Sequence, residues 1–289
     1  MSPLTLPTAS PGPLVIALVL LAAVLHASWN AIAHAVPDRL VGFAMIGLVD
    51  LVGGALLAAF GGPLPAQAWP FVIASAVLHV FYNLLLLASY QLGDFSQAYP
   101  LARGTAPWLV ALAAVVLLGR TLPVLELVGV LVVSAGLIAL VLASGRPGRA
   151  QLPAFGAAFA TGVMIAGYTV VDGVGVGLAP VVAYTGWMFA LQGPALVLLA
   201  WWRRGRAFPA AVRRYGAAGA TGGVISLAAY GIVLWAQTSG ELAQIAALRE
   251  TSIVFGAIIG AVVLRERFGL RRIVPSVVVL AGVILIGLG

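Results

Sequence analysis

Long apolar stretches run through this chain, and short segments rich in Gly, Pro and Arg separate them. A helix of about 20 apolar residues crosses the hydrocarbon core of a bilayer with its backbone hydrogen bonds satisfied internally. A membrane barrel would instead show short strands of alternating polarity, which this chain lacks. The pattern therefore predicts an all-α integral membrane protein with ten transmembrane helices, at 13–34, 40–60, 68–91, 95–118, 123–143, 153–172, 178–202, 214–237, 241–264 and 269–288.

The composition strengthens this interpretation and excludes several classes of protein. Hydrophobic residues make up 62% of the chain and charged residues 8%, with a mean hydropathy of +1.12, whereas soluble domains carry about 25% charged residues. Residues 1–12 lack the basic region of a secretory signal and are expected to form a disordered tail. No cysteine, P-loop or metal-binding spacing of histidines is present. We therefore expect no enzyme, no ATP-driven pump, no metal and no cofactor.

The basic residues are all arginines, and they are distributed asymmetrically among the predicted loops. In a soluble protein a net charge of +7 would suggest a nucleic-acid partner. Here twelve arginines fall on one side of the predicted bundle and only Arg120 on the other. By the positive-inside rule the arginine-rich side is cytoplasmic. The expected partners are membrane lipids rather than nucleic acid, and both termini are predicted to be periplasmic in a bacterial inner membrane.

An internal repeat divides the chain into two halves. Gly93-Asp94-Phe95-Ser96-Gln97 is similar to Gly240-Glu241-Leu242-Ala243-Gln244, and Thr105 corresponds to Ser252 at the same offset. The predicted repeats are 13–145 and 146–289, with five spans in each. Because five is odd, the second repeat would insert upside down relative to the first. Such inverted repeats commonly enclose a binding site near the middle of the bilayer.

Three motifs resemble those of a known group of carriers. Gln97-Ala98-Tyr99-Pro100-Leu101-Ala102-Arg103-Gly104 resembles the fourth-span signature of the drug/metabolite transporter superfamily. The ninth-span signature of the EamA-type carriers in this superfamily is similar to Ala247–Ser252 together with Leu264-Arg265-Glu266-Arg267. A first-span motif common in the same group is similar to His26–Asn30. The resemblance implies a secondary carrier, similar to the bacterial exporters of aromatic and neutral amino acids. Gly119-Arg120-Thr121 departs from the Gly-Glu of many relatives, so no carboxylate role is assigned there.

Two ionisable residues of opposite charge occupy matching positions in the predicted repeats. Arg103 lies in span four and Glu250 in span nine, where an isolated charge is costly. They are expected either to pair with each other or to bind the carboxylate and ammonium groups of a zwitterionic substrate. Asp50 lies in the middle of span two, where a buried carboxylate would suit proton coupling.

Polar and aromatic residues at helical spacing predict the faces that line a solute pathway. His79, Tyr82 and Asn83 share one face of span three, and Trp29 and Asn30 repeat this pattern in span one. A cavity with aromatic walls and a few polar groups is typical of a small-molecule site. The complete predicted substrate-binding set is His79, Tyr82, Asn83, Tyr99, Arg103, Trp29, Asn30, Tyr168, Tyr230, Trp235 and Glu250. Trp235 could instead be an interfacial anchor, and Asp172 near Tyr168 is expected to be a solvated cap.

A second group of residues is assigned to gating and helix packing: Gln97, Gln244, Arg249, Pro100, Pro107, Gly256 and Gly260. The two glutamines could gate the pathway or cap helix ends. Prolines inside a span can kink it. Gly256-x-x-x-Gly260 favours close helix packing, either within one chain or between two. A monomer is expected, with a dimer as the alternative.

The function predicted from these features is secondary transport of a small neutral or zwitterionic metabolite by alternating access, with export of amino acids, aromatic ones included, as the leading interpretation. The expected cavity is lined by spans one, three, four, six, eight and nine. The alternative is a channel or facilitator for another small solute, such as a purine, a nucleoside or a drug-like compound. Phosphorylated solutes are not expected, because several inward-facing basic residues would be needed to bind them.

Overall fold

Long helices account for almost all of the secondary structure in the computed structural model, which describes residues 12–118, 123–143, 148–237, 248–267 and 269–288. The α-helices are α1 (Pro13–Ala35), α2 (Arg39–Phe60), α3 (Trp69–Leu92), α4 (Phe95–Leu118), α5 (Val124–Leu142), α6 (Leu152–Gly175), α7 (Val181–Arg204), α8 (Phe208–Gln237), α9 (Ser252–Ile258) and α10 (Gly269–Leu288). No strand occurs among these residues. The all-helical prediction is therefore confirmed for the described chain.

The predicted bounds of eight helices agree with the structure to within three residues, α8 begins six residues earlier than predicted, and the ninth span differs. Helices α1–α8 and α10 contain between 19 and 30 residues, whereas α9 contains only seven and continues into a π-helix at Ile259–Val263. Residues 241–247 of the predicted ninth span lie outside the described residues. Within the described part of the chain, seven helical stretches are long and apolar enough to cross a membrane, and one of them, 181–233, contains parts of both α7 and α8. Ten spans in two inverted repeats therefore remain a prediction.

The helices pack in pairs that join the two halves of the chain. The most extensive contacts are between α2 and α7, α5 and α10, α3 and α6, and α1 and α8. Each pair takes one helix from either side of residue 145. Large apolar side chains such as Leu131, Ile138 and Val262 face outward, as expected for helices surrounded by lipid tails. Charged and polar side chains including Asp50, His79, Arg103 and Glu250 are buried inside, where polar groups avoid the hydrocarbon.

The α2–α7 contact is close enough to bring the two backbones together. Gly47 and Gly193 face each other, and a Cβ atom built on Gly47 would lie 2.5 Å from the carbonyl oxygen of Gly193. Small residues at such crossings allow helix axes to approach closely. This contact fixes the relative positions of neighbouring side chains, including Asp50 on α2 and Gln192 on α7.

A polar network ties the beginning of α4 to the beginning of α10. The carboxylate of Glu266 accepts hydrogen bonds from the free backbone N–H groups of Phe95, at 2.5 Å, and Ser96, at 2.8 Å. Arg272 on α10 contacts Asp94 at 2.8 Å and donates to the Ser96 hydroxyl at 2.8 Å. A carboxylate at the first turn of a helix satisfies otherwise unpaired donors and the helix dipole. Glu266, which the sequence analysis noted only as part of a motif, therefore joins the two halves at the arginine-rich end.

Candidate functional site

Two small cavities lie next to each other inside the helix bundle. The first, here called the central cavity, has a volume of about 40 Å³ and is lined by His26, Trp29, Ile46, Asp50, His79, Tyr82, Asn83, Tyr168, Phe189, Gln192, Ser226 and Tyr230. The second, the arginine cavity, measures about 30 Å³ and is lined by Ala22, His26, Arg103, Tyr168, Ala229, Tyr230, Val233 and Arg249. They share His26, Tyr168 and Tyr230, which makes them neighbouring parts of one internal site.

Aromatic rings from α1, α3 and α6 contact one another along part of the wall of the central cavity. The rings of His79 and Tyr168 stack with centroids 3.9 Å apart, and Tyr82 meets Tyr168 edge to face at 5.8 Å. On the α1 side, the indole nitrogen of Trp29 donates to Nδ1 of His26 at 3.2 Å. Edge-to-face and stacked rings hold one another in defined orientations. Part of the wall is therefore built from residues that the helical spacing on spans one and three places on one face.

A buried ion pair lies beside the arginine cavity, whose lining includes Arg103. The Arg103 guanidinium lies 2.6 Å from Oε1 of Glu250, and Arg249 reaches the same oxygen at 3.3 Å. Both Arg103 and Glu250 are 3% exposed. Among the described residues two guanidinium groups share one carboxylate here, so these three side chains together carry a net positive charge. Of the two arrangements left open by the sequence, the structure contains direct pairing.

The sequence pattern suggests that Glu250 lies deep inside a continuous helix, but the structure places it in a turn just before α9. Residues 248 and 249 are helical, Glu250 and Thr251 form a turn, and α9 begins at Ser252. The amide of Ile253 donates to the carbonyl of Glu250 at 3.0 Å, a tighter spacing than in an α-helix. Hydropathy cannot reveal such a break, because every residue around it still belongs in the membrane. Discontinuous helices at membrane depth commonly accompany binding sites.

Several predicted site residues lie away from both cavities. Asn30 is fully buried, with its side-chain oxygen accepting from the Tyr90 hydroxyl at 2.7 Å and its amide donating to the His26 carbonyl at 2.9 Å. It therefore braces α1 against α3 and lines neither cavity. Trp235 is 46% exposed and lines a hollow on the outer face together with Leu18, a position that suits the interfacial anchor named as its alternative. Helical periodicity places a residue on a face but cannot say which neighbour that face meets.

The residues assigned to gating and packing have identifiable contacts. Gln97 donates its amide to the carbonyls of Leu140 and Val141 at the end of α5, at 3.0 and 3.3 Å, the capping role proposed as its alternative. Pro100 and Pro107 lie within α4. Gln244 and Arg120 lie outside the described residues.

The glycine motif of the ninth span and the aromatic residue facing it form a contact within the chain. Tyr99 is buried on α4, and Gly256 packs against its ring. A Cβ atom on Gly260 would lie 2.5 Å from the Ser96 side chain. The Gly256-x-x-x-Gly260 motif is therefore used to pack α9 and the following π-helix against α4.

Asp172 differs from its prediction as a solvated cap. Its carboxylate is buried and accepts hydrogen bonds from the Tyr184 hydroxyl at 2.9 Å and from the Tyr230 hydroxyl at 3.4 Å. Because Tyr230 also lines both cavities, Asp172 positions a wall residue of the site. The two tyrosines come from α7 and α8, so the sequence around Asp172 carries no sign of this burial.

Two helices contribute to the central cavity without having been predicted to do so. Helix α2 supplies Ile46 and Asp50, and α7 supplies Phe189 and Gln192. Gln192 could have been found by the argument applied to Asp50, since it is a lone strongly polar residue within an apolar stretch. Ile46 and Phe189 carry no such signal, because apolar residues in a membrane span are equally suited to lipid, packing or cavity positions.

Comparison with known families finds a match for one part of the chain. Residues 152–288 match the EamA-like transporter family. The matched segment is similar to an EamA-like transporter domain. It contains Tyr168, Gln192 and Tyr230 of the central cavity and Glu250 of the ion pair. The family is one of membrane transporters for small solutes and not of enzymes, and together with the apolar helices it identifies a multi-pass membrane protein.

Comparison with solved structures extends the similarity of fold beyond the EamA-like domain. One solved structure, described only as the crystal structure of a protein, is similar to this chain. The alignment covers 95% of this chain and 96% of the other chain, with a TM-score of 0.56 and 19% sequence identity. At this identity the similarity concerns the fold alone. No curated protein matches the chain.

Proposed function

We propose that this protein is a secondary transporter that moves small neutral or zwitterionic metabolites, amino acids including aromatic ones, across the bacterial inner membrane by alternating access, with export as the physiological direction. The observation that carries the proposal is the internal site itself. It is enclosed by helices from both halves, has aromatic walls and contains polar groups of both charges. A site of this composition suits a molecule with an apolar side chain and a charged or hydrogen-bonding end.

The small size of the cavities supports a mechanism with more than one conformation. A volume of about 40 Å³ is far below the roughly 300 Å³ or more of typical ligand pockets. Substrate entry therefore requires the walls to separate. In alternating access a substrate shifts the balance between conformations through its different affinities for them. In this proposal the structure represents a conformation in which the walls of the site lie close together.

The pairing of helices supports the proposed inverted-repeat arrangement. Exchanging the two halves converts the α3–α6 contact into α8–α1 and leaves the α2–α7 and α5–α10 pairs unchanged. Two related halves that meet along such pairs can rock about a site between them. The Arg103–Glu250 pair, which joins α4 to the segment before α9, is proposed to hold the closed conformation.

Counterflow in proteoliposomes tests the transport proposal. Vesicles preloaded with unlabelled L-phenylalanine should accumulate labelled L-phenylalanine transiently and saturably. Trp29→Ala removes an aromatic wall of the cavity and should lower the rate about tenfold or more, a change equivalent to about 1.4 kcal/mol. Trp235→Ala, the matched control on the outer face, should retain the rate. Repeating the assay with and without a pH gradient tests proton coupling.

The alternative is a channel or facilitator for a different solute. Flux that rises linearly with concentration and shows no acceleration by solute on the opposite side would identify a channel. Flux of nucleosides or purines in place of amino acids would show that the proposed substrate class is wrong.

A further inference from the structure

A pair of buried polar side chains occupies the part of the central cavity where α2 meets α7. Asp50 and Gln192 are 4% and 5% exposed, and the Gln192 amide nitrogen donates to Oδ2 of Asp50 at 3.4 Å. The Gly47–Gly193 backbone contact sets the distance between the two helices at this level. The pair is therefore positioned by a close backbone contact between the two helices.

Both side chains retain a free acceptor. Oδ1 of Asp50 and Oε1 of Gln192 have no hydrogen-bond partner among the described residues, although both side chains line the cavity. Buried polar atoms are usually hydrogen-bonded, and an exception calls for an explanation. A carboxylate and a side-chain amide that line the same cavity, each with an acceptor oxygen to spare, are complementary to a positively charged donor.

Among the residues that the structure describes, no arginine lines the central cavity to supply that donor. Arg103 and Arg249 line the neighbouring arginine cavity and contact Glu250 there. An ionised carboxylate buried without a cationic partner is unfavourable. The aromatic walls formed by Trp29, Tyr82 and Tyr168 can additionally favour a cation through their ring faces.

The available space matches a group of the size of water. A cavity of about 40 Å³ exceeds the roughly 10–15 Å³ that a single water requires, and an ammonium group is similar in size to a water molecule. The rest of an organic molecule would need the walls to move.

We propose that Asp50 and Gln192 form the binding site for the ammonium group of the transported molecule, which makes a primary amine a required feature of the substrate. The proposal rests on the proposed transport function and narrows its substrate class. The amine donates hydrogen bonds to Oδ1 of Asp50 and Oε1 of Gln192, and its charge neutralises the carboxylate. The opposite charge at the Arg103–Arg249–Glu250 end gives the site the polarity of a zwitterion.

Binding measured by calorimetry on the full chain in nanodiscs tests this site with three related probes. These are L-phenylalanine, phenethylamine, which lacks the carboxylate, and 3-phenylpropanoate, which lacks the amine. The wild-type protein should bind phenethylamine and L-phenylalanine at least about tenfold more tightly than 3-phenylpropanoate. Asp50→Asn should lower the affinity for both amines by a similar factor and leave that for 3-phenylpropanoate unchanged. Asp38→Asn, which removes a negative charge just before the same helix and outside the cavity, should leave all three affinities unchanged.

Other outcomes overturn the ammonium site. If the wild-type protein bound L-phenylalanine and 3-phenylpropanoate equally well, the ammonium site would be contradicted. This comparison needs no variant and holds even if Asp50→Asn fails to fold. The absence of phenethylamine binding would also contradict it. Asp50-dependent binding of sodium chloride alone would assign Asp50 and Gln192 to an inorganic cation instead. Asp50-dependent amine binding without counterflow would support the site and contradict the transport proposal, so the two failures are distinguishable.

Discussion

At the scale of single residues, removing Glu250 and removing Arg103 from the buried ion pair are expected to have different effects. Among the described residues, Arg103 has one carboxylate partner, whereas Glu250 is shared between Arg103 and Arg249. Removing the carboxylate therefore leaves two neighbouring guanidinium groups without a counter-charge. Removing Arg103 leaves Glu250 still in contact with Arg249.

Glu250→Gln is accordingly expected to destabilise the protein more than Arg103→Met. Leaving buried charge unpaired costs about 3–5 kcal/mol, whereas loss of a single charged hydrogen bond costs roughly 1.5–3 kcal/mol. The order of the thermal unfolding midpoints in nanodiscs checks this expectation. Arg204→Met breaks an exposed ion pair with Asp38 and should change the midpoint little. A larger effect of Arg103→Met than of Glu250→Gln would contradict the asymmetric arrangement.

At the scale of helices, the contact between α2 and α7 determines where the polar pair of the cavity lies. Gly193 has no room for a methyl group because the Gly47 backbone faces it, whereas Gly173 in α6 has no atom within 4 Å of a Cβ built on it. The two glycines therefore form a matched pair, one at a helix contact and one facing open space.

Gly193→Ala is expected to destabilise the protein by about 1–3 kcal/mol through overpacking. Gly173→Ala should be neutral or stabilising by up to about 1 kcal/mol, because alanine has the higher helix propensity. Thermal unfolding of both variants in the same lipid provides the comparison. Equal midpoints for the two variants would show that the helices separate readily at this crossing. The Gly193→Ala variant should also bind amines more weakly, since it displaces Gln192.

At the scale of the whole molecule, the arginine distribution predicts which ends of the helices face the cytoplasm. Gln67 and Gly177 lie in exposed turns at one end of the predicted bundle, and Arg206 lies in an exposed turn at the other. The chain contains no cysteine, so single cysteines can be introduced and labelled without a background signal.

Gln67→Cys and Gly177→Cys are expected to react with an impermeant maleimide in intact spheroplasts, because positive-inside orientation places both turns in the periplasm. Arg206→Cys should react only after the membrane is permeabilised. Labelling of Gln67→Cys and Gly177→Cys from opposite sides would rule out the inverted orientation of the two halves.

The apolar and polar pattern was sufficient to predict the long helices and a part of the site. Tyr82, His79 and Asn83 were predicted to face inward because hydrogen-bonding groups are excluded from lipid, and all three line the central cavity. The pairing of Asp50 with Gln192 could not be predicted, because the two residues come from different halves of the chain. Their contact depends on a backbone crossing that leaves no periodic signal.

The sequence by itself determined that long apolar helices cross a membrane and that a few charged residues must be buried within them, because hydrophobicity and the cost of an exposed charge are properties of individual residues. The tertiary structure decided which charges meet, that Glu250 lies in a turn, that Trp235 faces outward and that α2 and α7 complete the cavity. These outcomes depend on how helices from distant parts of the chain cross. Lipid surrounds every helix with the same apolar environment, so only the packing of specific side chains selects one crossing over another.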